Sequence, residues 1–260
     1  ILVDTEQRIW AGTLEHGLFQ KAKNSATFAH QKNVIAMEIR SIFQDTSGAV
    51  WIGAKDIIHR ISDNTWNTLT LPSDIESTIT SFAQKPGSSE TYIGSSTSGL
   101  FRSDGIKIYR ESFDDRFDSE GISSLLFLND EELLIGTFDL GLIAWSRGRV
   151  IQLNHERDFP GSGISSITKN GSEFWIGTNR GIVRMTEEDL TDMIEDNQVP
   201  FRGQVFTQSD GLSSIECPIG FQPTATIDHN GTIWFASGKG LNSIAPERLK
   251  PNEVEPMIVF

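Results

Sequence analysis

The stretch IRSIFQDTSGAVWIGAKDIIHRISDNTWNTLTL, residues Ile39–Leu71, decides the fold. Ile39–Asp45 and Ala49–Ala54 read as two strands, with Asp45, Thr46, Ser47 and Gly48 supplying the turn chemistry that reverses a chain between them. Ile57–Ile61 and Thr65–Leu71 follow as a third and a fourth strand. The unit is a four-stranded antiparallel meander.

It recurs. An aromatic or apolar residue is followed two positions later by Gly or Ala and then by a small residue, beginning at Trp10, Trp51, Tyr92, Leu134, Trp175 and Trp234 with spacings of 41, 41, 42, 41 and 59. A second landmark, Ile-x-Ser followed by an apolar residue, keeps the same period at Ile39, Ile79, Ile122 and Ile164. Turn signals stand between the landmarks at Pro86–Ser89, Asn129–Glu131, Asn170–Gly171 and Asp228–Gly231. Beyond the small residue a short loop ends in Gly17-Leu18, Gly99-Leu100, Gly141-Leu142, Gly181-Ile182 or Gly240-Leu241, and the second copy departs with Ile57-Ile58.

One such meander cannot bury both of its apolar faces, so the units must stack, and a period of roughly 40 residues with four short strands is the signature of a propeller. The fold class is therefore all-β, a β-propeller of four-stranded antiparallel blades. Six blades fall at about 1–33, 34–74, 75–117, 118–159, 160–215 and 216–250, and 251–260 reads as an exit linker. Gly in the middle of the second strand allows close backbone approach near the ring's centre, and the aromatic residue two places earlier is expected to wedge between blades. The long fifth interval holds a helical insertion near 186–197: Thr186 as N-cap, acids Glu187, Glu188 and Asp189 in the first turn, and Leu190, Met193 and Ile194 on one face. Phe201–Leu212 then returns to complete the fifth blade.

Charge and composition narrow the function. The chain has 260 residues, 37% of them hydrophobic, and a formal charge of −13, a field that repels nucleic acid and anionic membrane surfaces. Its apolar runs are too short and too interrupted to span a bilayer. Cys217, the one cysteine, has no partner for an internal disulfide. The sequence begins within a strand and without Met, and is read as part of a longer protein.

The repeat I-x-S-I-x-x-D-x-x-G-x-x-W-I-G-T-x-x-G-L resembles the two-component regulator propeller repeat of extracytoplasmic sensors. Phe206–Leu212, Gly220–Pro223, Gly231–Phe235, Gly240-Leu241 and Ala245-Pro246 are similar to the last blade of such sensors. The resemblance implies a ligand-sensing domain of a membrane-anchored hybrid histidine kinase or diguanylate cyclase. It also implies a periplasmic, extracytoplasmic location, a following β-sandwich, and a seven-bladed ring whose remaining blade or strand lies upstream of Ile1. Other domains of the same receptor and a second copy of the chain are the expected partners.

Motifs for nucleophilic, metallo-, nucleotide-phosphate or dinucleotide chemistry are missing from the sequence, so no catalytic residue, metal or cofactor is expected. His16, His30, His59, His155 and His229 read as surface or turn residues, and the Asp45–Gly48 turn lacks the further oxygen ligands of a calcium loop. Function on a propeller gathers at the loops joining second to third strands. Here those loops offer Glu15, His16, Lys55, Asp56, Thr97, Phe138, Asp139, Asn179, Arg180 and Lys239, a mixture suited to a small polar ligand such as a saccharide. Arg180 and Lys239 together would suit an anionic group. Ser41, Ser81, Ser124 and Ser166 on the innermost strands are expected to satisfy backbone groups. Trp66 and Trp145, off the repeat register, are expected to be better placed for exposed contacts. Two further readings stay open: a lyase-type propeller enzyme, with Glu15 and His16 as its compact acid–base pair, and a scaffold that binds proteins only.

Overall fold

Glycine at the third position of the repeat is where neighbouring blades meet. A Cβ added to Gly53, Gly94 or Gly136 would lie 2.6, 2.7 or 2.7 Å from the Cγ2 of Ile79, Ile122 or Ile164, the isoleucine that opens the next blade; Gly12 meets Ile39 in the same way. The two sequence landmarks are thus the two halves of one contact between blades.

The computed structural model describes residues 1–34, 38–154, 158–196 and 198–249. It holds six antiparallel sheets arranged as the blades of a propeller. The first is β1 (Leu2–Val3), β2 (Ile9–Gly12), β3 (Leu18–Lys21) and β4 (Ala29–His30). The second is β5 (Ser41–Gln44), β6 (Val50–Gly53), β7 (Ile57–Ser62) and β8 (Thr65–Thr70). The third is β9 (Ile79–Gln84), β10 (Thr91–Ser95), β11 (Leu100–Ser103) and β12 (Ile108–Glu111). The fourth is β13 (Ile122–Phe127), β14 (Glu132–Thr137), β15 (Leu142–Ser146) and β16 (Arg149–Leu153). In the fifth, β17 (Ile164–Asn170), β18 (Glu173–Thr178) and β19 (Gly181–Thr186) lead into helix α1 (Glu187–Glu195), and β20 (Gln204–Phe206) returns to pair with β19. The sixth has three strands among the described residues, β21 (Ala225–Ile227), β22 (Ile233–Ser237) and β23 (Gly240–Ile244). The 251–260 exit linker and His155 lie outside the described residues.

Five buried clusters hold the array, one between each blade and its successor. Trp10, Trp51 and Trp175 are at most 1% exposed and sit at three of these junctions, as the wedge reading expects. Each fully buried ring contributes about 2–3 kcal/mol of hydrophobic stabilisation. Tyr92 and Leu134 take the same place in the other two junctions. Trp234, on the far side of blade six, is half-buried. Among the described residues no buried cluster joins blade six to blade one. Helix α1 begins at Thr186, whose hydroxyl accepts the Asp189 N–H, and Leu190, Met193 and Ile194 bury the face the sequence marks.

Three wedges are pinned from the preceding turn. Asp4, Asp45 and Asp228 each accept the indole N–H of the Trp six residues on, at 2.7, 2.8 and 2.9 Å, while the other carboxylate oxygen takes backbone N–H groups of its own turn. In the fifth blade Lys169 stands at the aspartate position, and the buried Trp175 N–H has no partner among the described residues.

Trp66 and Trp145 are half-buried, more open than Trp10, Trp51 and Trp175: Trp66 lies edge-on to Trp10 at 6.5 Å, and Trp145 stacks on Phe113 at 5.4 Å. Other expectations need correction. His59 is buried on β7, bonded to the Thr68 hydroxyl, and burial lowers its pKa. The serine reading holds for Ser41, which donates to Ile79 O, and for Ser124, which accepts the Ile167 N–H. In the third and fourth blades Thr80 and Ser123 make the bond to the next blade instead, because a β-bulge there inserts an extra residue. Ser81 and Ser166 keep buried hydroxyls without a partner among the described residues. Among the described residues no helix is long and apolar enough to cross a membrane.

Candidate functional site

The loops joining second to third strands are shaped by the small residue that closes the repeat. Thr13, Ser95, Thr137 and Thr178 each donate a hydroxyl hydrogen bond to the glycine carbonyl at the end of the loop and accept an N–H from within it. The second blade has Ala54 and no glycine. There Asp56 adopts the left-handed conformation, φ 56°, and its carboxylate accepts the Ser77 N–H. This explains how Ile57-Ile58 can replace Gly-Leu without disturbing the blade.

All these loops emerge at one end of the ring, and the structure assigns the candidate residues different surroundings. Glu15, His16, Asp139 and Lys239 are exposed. Lys55 makes a long, exposed ion pair with Glu76 at 3.9 Å. Thr97 exchanges hydrogen bonds with the Ser77 hydroxyl. Asn179 is engaged with the neighbouring strap, its side-chain oxygen accepting the Ser162 N–H and its backbone N–H donating to Gly163 O. Arg180 lines a cavity of about 410 Å³ with Asp158, Phe159, Pro160, Gly161 and Ser162. No described contact brings Arg180 and Lys239 together, or sets a third group against Glu15 and His16. Among the described residues no cluster of three His, Cys, Asp or Glu could hold a metal ion.

A segment that the repeat does not encode dominates this end. Residues 214–223, between the fifth and sixth blades, run inside the ring and touch five blades in turn. Glu216 O accepts the Gly238 N–H of blade six. Cys217 is buried beside Ser165 of blade five, and its thiol is pushed up by burial. Ile219 lies against Gly163, and Gly220 packs under the ring of Phe138 and near Thr80. Arg40 of blade two stacks over Phe221 at 4.9 Å. Gln222 exchanges backbone bonds with Arg40 and Ile42, and its side-chain amide bonds both N–H and C=O of Phe82 in blade three, at 2.7 and 2.9 Å. Phe138 is therefore half-buried, packed between Gly121 and this plug. Gly220–Pro223, similar in sequence to part of a final blade, lies within this plug. Its real contacts are up to 140 residues away, and no local pattern announces them.

With this geometry in place the chain can be set beside known proteins. No protein-family model matches it, and no curated protein does. The solved structures do. The extracellular domain described as part of a hybrid two-component system, BT3049 from B. thetaiotaomicron, superposes with a TM-score of 0.69 at 18% identity, over 94% of this chain and 38% of its own. The extracellular domain of the one-component system BT4673 from the same organism gives 0.68 at 15%, over 94% and 32%. PorZ, a surface component of the type-IX secretion system of Porphyromonas gingivalis, gives 0.61 at 13%, over 92% and 37%. The likeness is one of fold. The chain spans between about a third and two fifths of the length of these structures, and two of the three are extracellular domains of signalling systems.

Proposed function

We propose that this propeller is the ligand-sensing, non-catalytic part of a membrane-anchored two-component receptor, held on the extracytoplasmic side and belonging to the two-component regulator propeller family. The observation that carries the reading is the coincidence of the quoted repeat and final-blade signature with a fold that superposes on the extracellular domains of BT3049 and BT4673 along nearly the whole chain. In this reading a small polar ligand contacts the loop end of the ring, at the cavity lined by Arg180 and the 158–162 strap that Asn179 holds. Occupancy then biases how two receptor chains, or the propeller and its following domain, pack. Glu15 and His16 as an exposed pair give no support to the lyase reading.

Ligand binding to the native state alone raises stability by mass action, by about 2.7 kcal/mol at a hundredfold excess over Kd. A thermal-shift screen of the domain against oligosaccharides, amino acids and small organic acids is expected to give a saturable rise in Tm that Arg180→Ala removes. A full screen without a stabilising compound, together with a full-length gene that encodes no membrane helix or signalling output, would overturn the receptor assignment.

A further inference from the structure

Three blades carry an arginine over the wedge indole at their outer rim, and the third and fourth blades do not. Trp10, Trp51 and Trp175 each carry an arginine over the indole: Arg8 at 5.4 Å, Arg60 at 5.3 Å and Arg184 at 5.5 Å. Blade three has Arg102 opposite Tyr92, the register that places Arg60 opposite Trp51 and Arg184 opposite Trp175. Its guanidinium is drawn away instead, over Tyr109 at 5.1 Å, by ion pairs with Glu90 and Glu111, both at 2.8 Å. Blade four offers Leu134 opposite Ala144, with neither ring nor cation.

At the first of these two junctions a cleft of about 290 Å³ opens between blades three and four, at the end of the ring opposite the loops described above. Tyr92, Phe127 and Trp145 form its wall, with Lys85, Asp130 and Arg147 at the rim. The wall is rigid. Tyr92 meets Phe127 edge-on at 5.1 Å, and Trp145 is stacked on Phe113 behind it. Among the described residues neither the Tyr92 hydroxyl nor the Trp145 indole N–H has a hydrogen-bond partner, and neither is sealed from solvent. At the matching position Trp10, Trp51 and Trp234 spend their donors on aspartates, and that of Trp175 is buried, out of a ligand's reach.

The rim decides the ligand class. Lys85 and Arg147 are balanced by Asp130 and by Glu131, which lies 3.7 Å from Arg147, so the formal charge around the cleft cancels. An anion would meet two carboxylates, and a purely apolar group would cover two polar donors without satisfying them. A ring with an apolar face and a hydroxyl edge meets both demands, as aromatic side chains with a polar tip favour sites that are apolar on one side and wet on the other. We propose that this cleft binds a neutral carbohydrate, one sugar ring lying against Tyr92 and Trp145 with its hydroxyls shared among their two donors and the mixed-sign rim. The site is separate from the loop end and stands whether or not the domain belongs to a receptor.

The test is a titration of the 15N-labelled domain with maltotriose, cellotriose and xylotriose, and with trigalacturonate as the acidic counterpart, following the assigned indole N–H resonance of Trp145. At least one neutral trisaccharide is expected to shift that resonance saturably, with a Kd of about 0.1–10 mM. Tyr92→Phe, which keeps the ring, is expected to weaken binding roughly three- to tenfold, as the loss of one hydrogen bond does. An unmoved Trp145 resonance at about 20 mM of every neutral sugar, shifts confined to the loop end, or a response to trigalacturonate alone would each overturn the proposal. So would an unchanged affinity in a folded Tyr92→Phe variant. The wild-type titration decides the matter even if that variant does not fold.

Discussion

At the scale of single residues, the aspartate–tryptophan pairs show how one carboxylate can serve a turn and a core together. Asp45 accepts N–H groups of Ser47 and Ala49, the Ser47 hydroxyl and the Trp51 indole, with Arg60 at 3.4 Å. Burial pushes its pKa up, and these donors outweigh it, so the group lies below its ordinary 3.8. Asp4 behaves alike: burial opposes, while Trp10 and Arg8 win. A carboxylate whose folded pKa is depressed gives its full stabilisation above the unfolded value, and loses it as the pH falls through the folded value. Acid unfolding is therefore expected to steepen below about pH 4, and Asp45→Asn should flatten that limb in circular-dichroism titrations. At neutral pH Asp45→Ala is expected to cost roughly 2–4 kcal/mol, since it strands a buried indole N–H and breaks an ion pair. In a Trp51→Phe background urea melts should show that cost reduced by about 1–2 kcal/mol, the coupling of two groups in contact; an unchanged cost would mean the indole bond adds nothing.

At the scale of the element, the second strand of each blade is the critical part, because its glycine receives two intruders at once. In blade two a Cβ on Gly53 would collide with the Ser41 hydroxyl of its own sheet and, at 2.6 and 2.8 Å, with Ile79 of the next. Neither can withdraw, since Ser41 bonds Ile79 O and both residues are wholly buried. Gly53→Ala is accordingly expected to destabilise by about 2–4 kcal/mol through overpacking. Gly87→Ala, at a turn with no heavy atom within 4 Å and φ of 69°, should cost only about 1 kcal/mol of backbone strain. Comparable losses in denaturant melts would refute the packing argument. This element was legible in the sequence because steric need repeats with the blade: Trp51, Gly53 and Ile79 each have counterparts one period away. The aspartate at turn position was legible as turn chemistry, while its bond to the indole was not, since the recurring six-residue Asp–Trp spacing marks positions and does not by itself show contact across the hairpin. The Tyr92–Trp145 cleft shows the converse. Tyr92 and Leu134 stand where the other four copies carry Trp, yet only the structure reveals that Arg102 has also turned away and left the junction unsealed.

At the scale of the molecule, a row of stacked blades is quasi-one-dimensional, with each unit leaning on its neighbours and able to part from the rest. The 214–223 segment works against that independence by tying blade six to blades two and three through the middle of the ring. Gln222 is the fastening. Its side chain completes both backbone hydrogen bonds of Phe82, and its own backbone pairs with Arg40 and Ile42. Nothing in a forty-residue period could foretell a contact of this range, which is why the sequence shows the loop residues and not the segment that lies among them. Gln222→Ala leaves the segment's backbone pairing in place but strands the Phe82 N–H and C=O, at an expected cost of roughly 2 kcal/mol. More telling is where the loss falls. If the plug couples distant blades, hydrogen exchange in the variant should accelerate in β9 and in β21–β23 together, although about 140 residues separate Phe82 from Gln222, while β13–β16 keep their protection. Acceleration confined to β9 would mean that blade six is held by its junction with blade five alone, and that the array unfolds as a linear stack.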